Sequence, residues 1–169
     1  TNLDRFELFF PERRQFFLEN ADLFSNFGYR SIRPFFSRRI GLNAPIQSGV
    51  RLSGNLDKNW RIGLMDIQTR QDEELNFAGE NFGVVTLQRK VFDRSDISAI
   101  FVNKQAVSLN ENQNNTSEYN RNIGLEYNYF SADNLWNGKL LFLKSLSPIA
   151  SQQGEVFASH IGYQSTRWN

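Results

Sequence analysis

From Pro45 onward, apolar and polar side chains alternate in segments of roughly ten residues, the period-two signature of strands with two unlike faces. The clearest segment is Tyr119 to Phe130, where Ile123, Leu125, Tyr127 and Tyr129 share one face and Asn122, Gly124, Glu126 and Asn128 share the other. Less regular segments are Pro45 to Gly54, with Ile46, Val50 and Leu52 on one face, then Trp60 to Thr69, Asn81 to Val91 and Asp96 to Gln105. Trp136 to Ser145 and Glu155 to Ser165 complete the set, the last with Phe157, Ile161 and Tyr163 on one face, so the pattern predicts seven strands.

The connections alternate in length. Asn55 to Asn59, Phe92 to Ser95 and Ser131 to Leu135 are tight and rich in Asn, Asp and Ser, side chains that bond their own backbone in turns. Arg70 to Glu80, Ala106 to Glu118 and Leu146 to Gly154 are longer and polar. Short turns on one rim and long loops on the other are the pattern of a membrane barrel, with short periplasmic and long extracellular connections, although a soluble barrel or sandwich also permits it. The expected fold is therefore all-β: an antiparallel up-and-down meander forming part of a transmembrane outer-membrane β-barrel.

Residues 1 to 44 have a different texture. Phe pairs at 9/10, 16/17 and 35/36 alternate with Arg pairs at 13/14 and 38/39. Leu3 to Phe10 alternates well enough to be a preceding strand, and Pro11 to Ala44 then becomes an outer loop or plug, which divides the chain into 1–44 and a barrel region 45–169. The ion network expected of this segment comprises Glu12, Arg13, Arg14, Glu19, Arg38 and Arg39. Guanidinium groups stack on aromatic faces and grip carboxylates or phosphates, which suits a constriction or ligand surface. The simpler reading is that they neutralise Glu7, Glu12, Glu19 and Asp22 around a folded plug.

Composition narrows the function classes. A formal net charge of +1 over 169 residues provides no global basic field for nucleic acid. The chain has no cysteine, so disulfides and thiolate chemistry are out. Apolar runs such as Leu140 to Leu143 fall far short of the roughly 20 residues a membrane helix needs. The start, Thr1-Asn2-Leu3-Asp4-Arg5, has no export-signal pattern, so the chain reads as an excerpt whose signal lay upstream or was removed. Aromatic residues make up 14%, with 16 Phe, which suits a sheet with one greasy face.

No catalytic residue, cofactor or metal site is expected. The single histidine, His160, has no nucleophile motif around it and reads as a lumen or interface residue. A glycosidase would need a carboxylate pair such as Glu12 with Glu19, or two of Asp72, Glu73 and Glu74, but the first pair sits among counter-ions and the second is an acidic loop. Nucleotide-binding glycine patterns are absent, Asp66 and Asp72 lack calcium-loop spacing, and the sequons in Asn114 to Ser117 read as polar loop residues. Trp60, Tyr129, Trp136 and Trp168 fall near strand ends, where interfacial aromatic girdles sit, and also where sugar-stacking or core residues occur.

Phe9-Phe10-Pro11-Glu12-Arg13-Arg14 followed by Phe16 to Asp22 resembles a family of Bacteroidota outer-membrane proteins. Members carry an N-terminal domain like carbohydrate-binding module family 9 and a C-terminal β-barrel region of unknown function. The likeness continues through Phe36 to Gly41, Pro45-Ile46, Gly49 to Gly54, Asn59-Trp60, Gly63-Leu64, Ser95 to Lys104, Tyr119 to Arg121 and Gly124-Leu125. Gln15 and Glu126 depart from the pattern, where proline and Asp are expected. The resemblance implies location in the bacterial outer membrane, contact with its lipid, a sugar-binding-like domain upstream and further strands beyond Asn169, but no established reaction. The expected function is a non-enzymatic pore, receptor or surface platform, linked to glycans or to other outer-membrane and secretion proteins. The alternatives are a soluble carbohydrate-binding β-domain that uses Trp60 and Trp136, and a glycosidase that uses Glu12 and Glu19.

Overall fold

The computed structural model describes residues 12–41, 44–71, 78–107, 119–149, 151 and 153–165. Seven strands form one antiparallel meander in which each strand pairs with its sequence neighbour. They are β1 (Ile46–Asn55), β2 (Trp60–Thr69), β3 (Gly79–Val91), β4 (Ser95–Val107), β5 (Tyr119–Phe130), β6 (Trp136–Leu146) and β7 (Gly154–Tyr163). Among the described residues the sheet is open, with β1 and β7 at its two edges. No described helix is long and apolar enough to cross a membrane. The expected strand Leu3 to Phe10, Trp168, the acidic run and the sequons lie outside the described residues.

All seven expected strands are present, and their limits differ by a few residues. β3 and β4 run longer than the alternation implied, because the ladder between them continues from Gly79 opposite Val107 to Val91 opposite Ser95 even where both faces are polar. A bulge between Ile46 and Ser48 sets Ile46 opposite Thr69, so Ile46 falls out of step with Val50 and Leu52. The tight turns close as their side chains dictate: Asp57 Oδ1 accepts from the Asn59 and Trp60 amides at 2.7 and 2.8 Å, and Asp133 Oδ1 accepts from the Leu135 amide at 3.1 Å.

The segment before the sheet contains two single helical turns, α1 (Gln15–Leu18) and α2 (Asp22–Ser25), and a 3-10 turn at Ser37–Arg39. Helices this short do not persist on their own backbone bonds. They are held by Phe17, Leu23, Phe24, Phe27, Phe35 and Ile40, which pack into one cluster with Met65, Ile67, Val84, Ile100, Val102, Leu141 and Leu143 from one face of the sheet. Each such large side chain taken fully out of water contributes about 1.5–3 kcal/mol. The doublets divide across this packing: Phe17 is buried while Phe16 is exposed, and Phe35 is buried while Phe36 is half-buried.

Candidate functional site

The two faces of the sheet differ: the inner one is covered by the N-terminal segment and the outer one is not. The inner face bears the N-terminal segment, and two glycines let it come close. A Cβ on Gly63 would lie 2.6 Å from Phe24 Cζ and from Thr86 Oγ1. On Gly124 it would lie 2.6 Å from Leu143 Cδ2 and 2.7 Å from Phe27 Cε1. Two phenylalanine rings therefore rest on bare strand backbone, a recurrent use of glycine inside a strand.

Beside these seats lies a charged latch. Glu126 on β5, only 4% exposed, accepts from the Gly28 amide at 2.5 Å and pairs with Lys139 Nζ of β6 at 3.0 Å. Lys139 Nζ donates back to the Gly28 carbonyl at 2.7 Å. Both backbone groups of one residue are thus gripped by one ion pair. Gly28 is suited to that position because its φ is +91° and a Cβ would meet the Ile32 carbonyl oxygen at 2.1 Å. Next to it, the Tyr29 hydroxyl lies 3.1 Å from His160 Nδ1 on β7 and donates to the Lys139 carbonyl at 3.3 Å. Burial, with the Glu126 charge beside it, raises the Tyr29 pKa above its ordinary value.

Toward the short turns the inner face opens into a cavity of about 300 Å³, lined among others by Asp22, Gln88, Asp96, Ser98, Glu126 and Asn128. Asp96 Oδ1 accepts from Gln88, Ser98 and Asn128 at 3.1, 3.2 and 3.1 Å, and Asn128 also donates to Glu126 Oε1 at 2.8 Å. Asp22 at its mouth is held by Arg61 at 2.7 Å, a hydrogen bond that lowers its pKa.

Within the expected ion network, Glu12 and Arg14 meet directly. Glu12 and Arg14 form a bidentate pair at 3.0 and 2.8 Å, and Arg14 donates onward to the Ser37 and Ile40 carbonyls, each at 2.9 Å, which staples the start of the segment to its end. Ser37 Oγ donates to the same carboxylate at 2.8 Å, and the Arg14 hydrogen bond leads the causes that hold Glu12 down at a pKa of about 2. An ionised carboxylate saturated in this way is poorly suited to general acid work. Arg13, Glu19 and Arg39 are exposed, and Arg38 is half-buried. Arg51 of β1 donates to the Phe16 carbonyl and lies 4.8 Å over the Phe24 ring. Among the described residues no cluster of three or more His, Cys, Asp or Glu side chains is arranged to hold a metal ion.

The outer face has no cover within the described chain and is mostly apolar, with Arg89 beside Trp60 and the Lys144–Glu155 ion pair at the end of one row. One row of directly paired residues reads Leu52, Leu64, Val85, Phe101 and Ile123, and the next reads Ile62, Leu87, Ala99, Leu125, Phe142 and Phe157. Exposure is 53% at Leu125, 72% at Phe157 and 73% at Ile161. Trp60, Tyr129 and Trp136 lie on this face at the short-turn end; Arg89 stacks 5.0 Å over Trp60, and Trp136 packs 4.9 Å from Tyr163.

No family model, curated protein or solved structure matches the chain.

Two residues singled out in the sequence have physical roles in the structure: Arg14 staples the segment and Gly124 seats Phe27. The Glu126–Lys139 pair, the Asp22–Arg61 pair and the glycine seats were missed from sequence. Glycines in the interior of otherwise regular strands at 63 and 124 were the available signal.

Proposed function

We propose that this chain is part of an outer-membrane β-barrel whose outward face meets lipid and whose inward face is filled by the N-terminal segment, so that it works as a surface receptor or anchoring platform rather than as an open pore. The observation that carries this reading is the uncovered apolar face. Isolated exposed apolar residues are ordinary, but a contiguous sheet of them marks contact with another apolar phase. The band from the Trp136/Tyr163 row to the row containing Ile123 spans eight residue steps along β6, because Ile123 faces Lys144. At about 3.3 Å per residue it extends about 26 Å along the strand, or about 20 Å of height at a tilt of roughly 40°, close to the ~25 Å apolar belt of a membrane barrel. Trp60, Tyr127, Tyr129, Trp136 and Tyr163 bound it at one end, as an interfacial girdle does, and Asp66, Asn103 and Arg121 bound it at the other.

The inner face supports the choice of platform over pore. Six buried apolar side chains of the N-terminal segment, two of them seated on glycines, occupy the space an open channel would need. In this reading the long connections face the exterior and provide surface for glycans or for other outer-membrane and secretion proteins. It also requires the free edges of β1 and β7 to be paired within the bilayer, where an unsatisfied strand edge is too costly to persist.

The test is outer-membrane fractionation of the full-length native protein with a heat-modifiability gel, followed by planar-bilayer recording. Expected are detergent-dependent extraction, a mobility shift on boiling, and little conductance. Solubility without detergent would overturn the proposal and favour the carbohydrate-binding alternative, for which Trp136 and Tyr163 form the aromatic pair to examine. A large steady conductance would leave the barrel standing and remove the platform reading.

A further inference from the structure

At its long-connection end the outer face changes character within one pleat. From β1 to β5 the row Leu52, Leu64, Val85, Phe101 and Ile123 is apolar before it ends in the Lys144–Glu155 ion pair, whereas the adjacent row runs Asp66, Gly83, Asn103, Arg121 from β2 to β5. A groove of about 670 Å³ lies along this step, within the size range of small-molecule sites. Gly83 leaves it open, because a Cβ there would find only ordinary contacts, Asp66 Oδ2 at 3.7 Å and the Asn103 Cβ at 3.9 Å.

The rim is polar in a specific way. Asp66 accepts from Asn81 Nδ2 at 3.2 and 3.3 Å. Arg121 Nε donates to Asn103 Oδ1 at 3.0 Å, and its guanidinium lies 4.5 Å over the Tyr119 ring. At about 4.8 Å per strand, Asp66 and Arg121 stand roughly 14 Å apart across the sheet, with Gly83 and Asn103 between them. An amphiphile fits this division: a chain against Leu64, Val85 and Phe101, and a head group over Gly83.

We propose that the groove binds a phosphorylated glycolipid, with one phosphate on the Arg121 guanidinium and sugar hydroxyls on Asp66, Asn81 and Asn103. The inference rests on the membrane reading above, which sets this rim at the outer leaflet. Arg51 also borders the groove, but its guanidinium is turned to the Phe16 carbonyl and the Phe24 ring, so Arg121 is the guanidinium on this rim, and its planar fork suits one phosphate. Carboxamides and a carboxylate offer interleaved donors and acceptors, which match hydroxyl groups. A phosphoethanolamine head would leave most of them without partners.

The experiment is native mass spectrometry of the full-length protein in mild detergent with equal amounts of monophosphorylated lipid A and phosphatidylethanolamine, alongside acyl-free glucosamine phosphate. The glycolipid is expected to be retained about tenfold or more over either competitor, and Arg121→Ala or Gly83→Leu is expected to reduce its retention about tenfold while leaving the heat-modifiable mobility unchanged. Equal retention of the two lipids overturns the proposal, as does undiminished binding in both variants. Equally tight binding of glucosamine phosphate also overturns it, since the apolar floor would then play no part. A protein that is heat-modifiable but fails these tests refutes only this inference, whereas one that never enters a bilayer refutes the membrane reading with it.

Discussion

Placing a valine at Gly124 tests whether the N-terminal segment is an integral part of the fold. The new Cβ alone would lie 2.6 Å from Leu143 Cδ2 and 2.7 Å from Phe27 Cε1, and its two methyl groups would add to the crowding. If the Phe27 ring stays, overpacking costs about 1–3 kcal/mol. If it leaves, a side chain now 5% exposed forfeits burial worth on the order of 2–3 kcal/mol. Against either loss stands a gain of about 0.5–1 kcal/mol from replacing glycine in a strand. The net expectation is destabilisation by up to about 2.5 kcal/mol, and by at least about 1 kcal/mol if the ring is displaced. Gly54→Val is the matched control, since a Cβ at Gly54 meets nothing within 4 Å and the strand gain should appear alone.

Denaturant unfolding of the two variants in detergent, with hydrogen exchange followed over residues 22–29, separates the cases. Gly124→Val should lower the midpoint and release protection in the segment, and Gly54→Val should do neither. Adding Phe27→Ala to Gly124→Val should cost less than the sum of the single effects, because the two changes remove the same clash. Equal stability of the Gly124 and Gly54 variants would refute the seat, and with it the description of the segment as docked through strand glycines.

Lys139→Met should destabilise the protein by about 3–5 kcal/mol in the same unfolding assay, because Glu126 would remain buried without its cation; Glu126→Leu in that background should recover part of the loss, and no recovery would show that the latch is not an ion pair. Glu12 titrates near 2 when folded against an ordinary 4.5, so its contribution should be complete above about pH 4.5 and vanish as pH falls toward 2. Since Arg14 is 39% exposed, that contribution is discounted to about 1–2 kcal/mol; the stability difference between the native protein and Glu12→Gln should shrink over this window, and a pH-independent difference would count against the staple. In vesicles, single-tryptophan variants retaining Trp60 or Trp136 should be quenched more strongly by lipids brominated near the head group than near the chain end; the reverse order would move the girdle off the interface.

The strands were readable because a two-residue side-chain period and Asn, Asp and Ser turns leave local marks, and both survive even where, as at Ile46, a bulge displaces one residue. What lay beyond local marks was which face receives a cover. In β5 the more polar set, Gly124 and Glu126, is buried beneath the segment while Ile123 and Leu125 remain exposed, the reverse of a soluble sheet with its greasy face inward. Which charges of the first segment meet strand charges depends on placement in the same way. Adjacent residues cannot both point at the sheet, so of the Arg13/Arg14 doublet Arg14 alone turns inward to Glu12, and the other strong pairs draw on strand residues whose positions depend on register. Lys139 reaches Glu126 because Asn128 pairs with Lys139 and Leu141 with Glu126, which makes the two charges diagonal neighbours on the inner face. The same register sets Gly124 opposite Leu143 and leaves the gap that Phe27 fills, so the latch and one of the two glycine seats follow from the alignment of a single hairpin. A one-residue slip of β6 against β5 would turn Lys139 and Leu143 to the uncovered face together, and this links the register of the sheet directly to retention of the segment on its inner face.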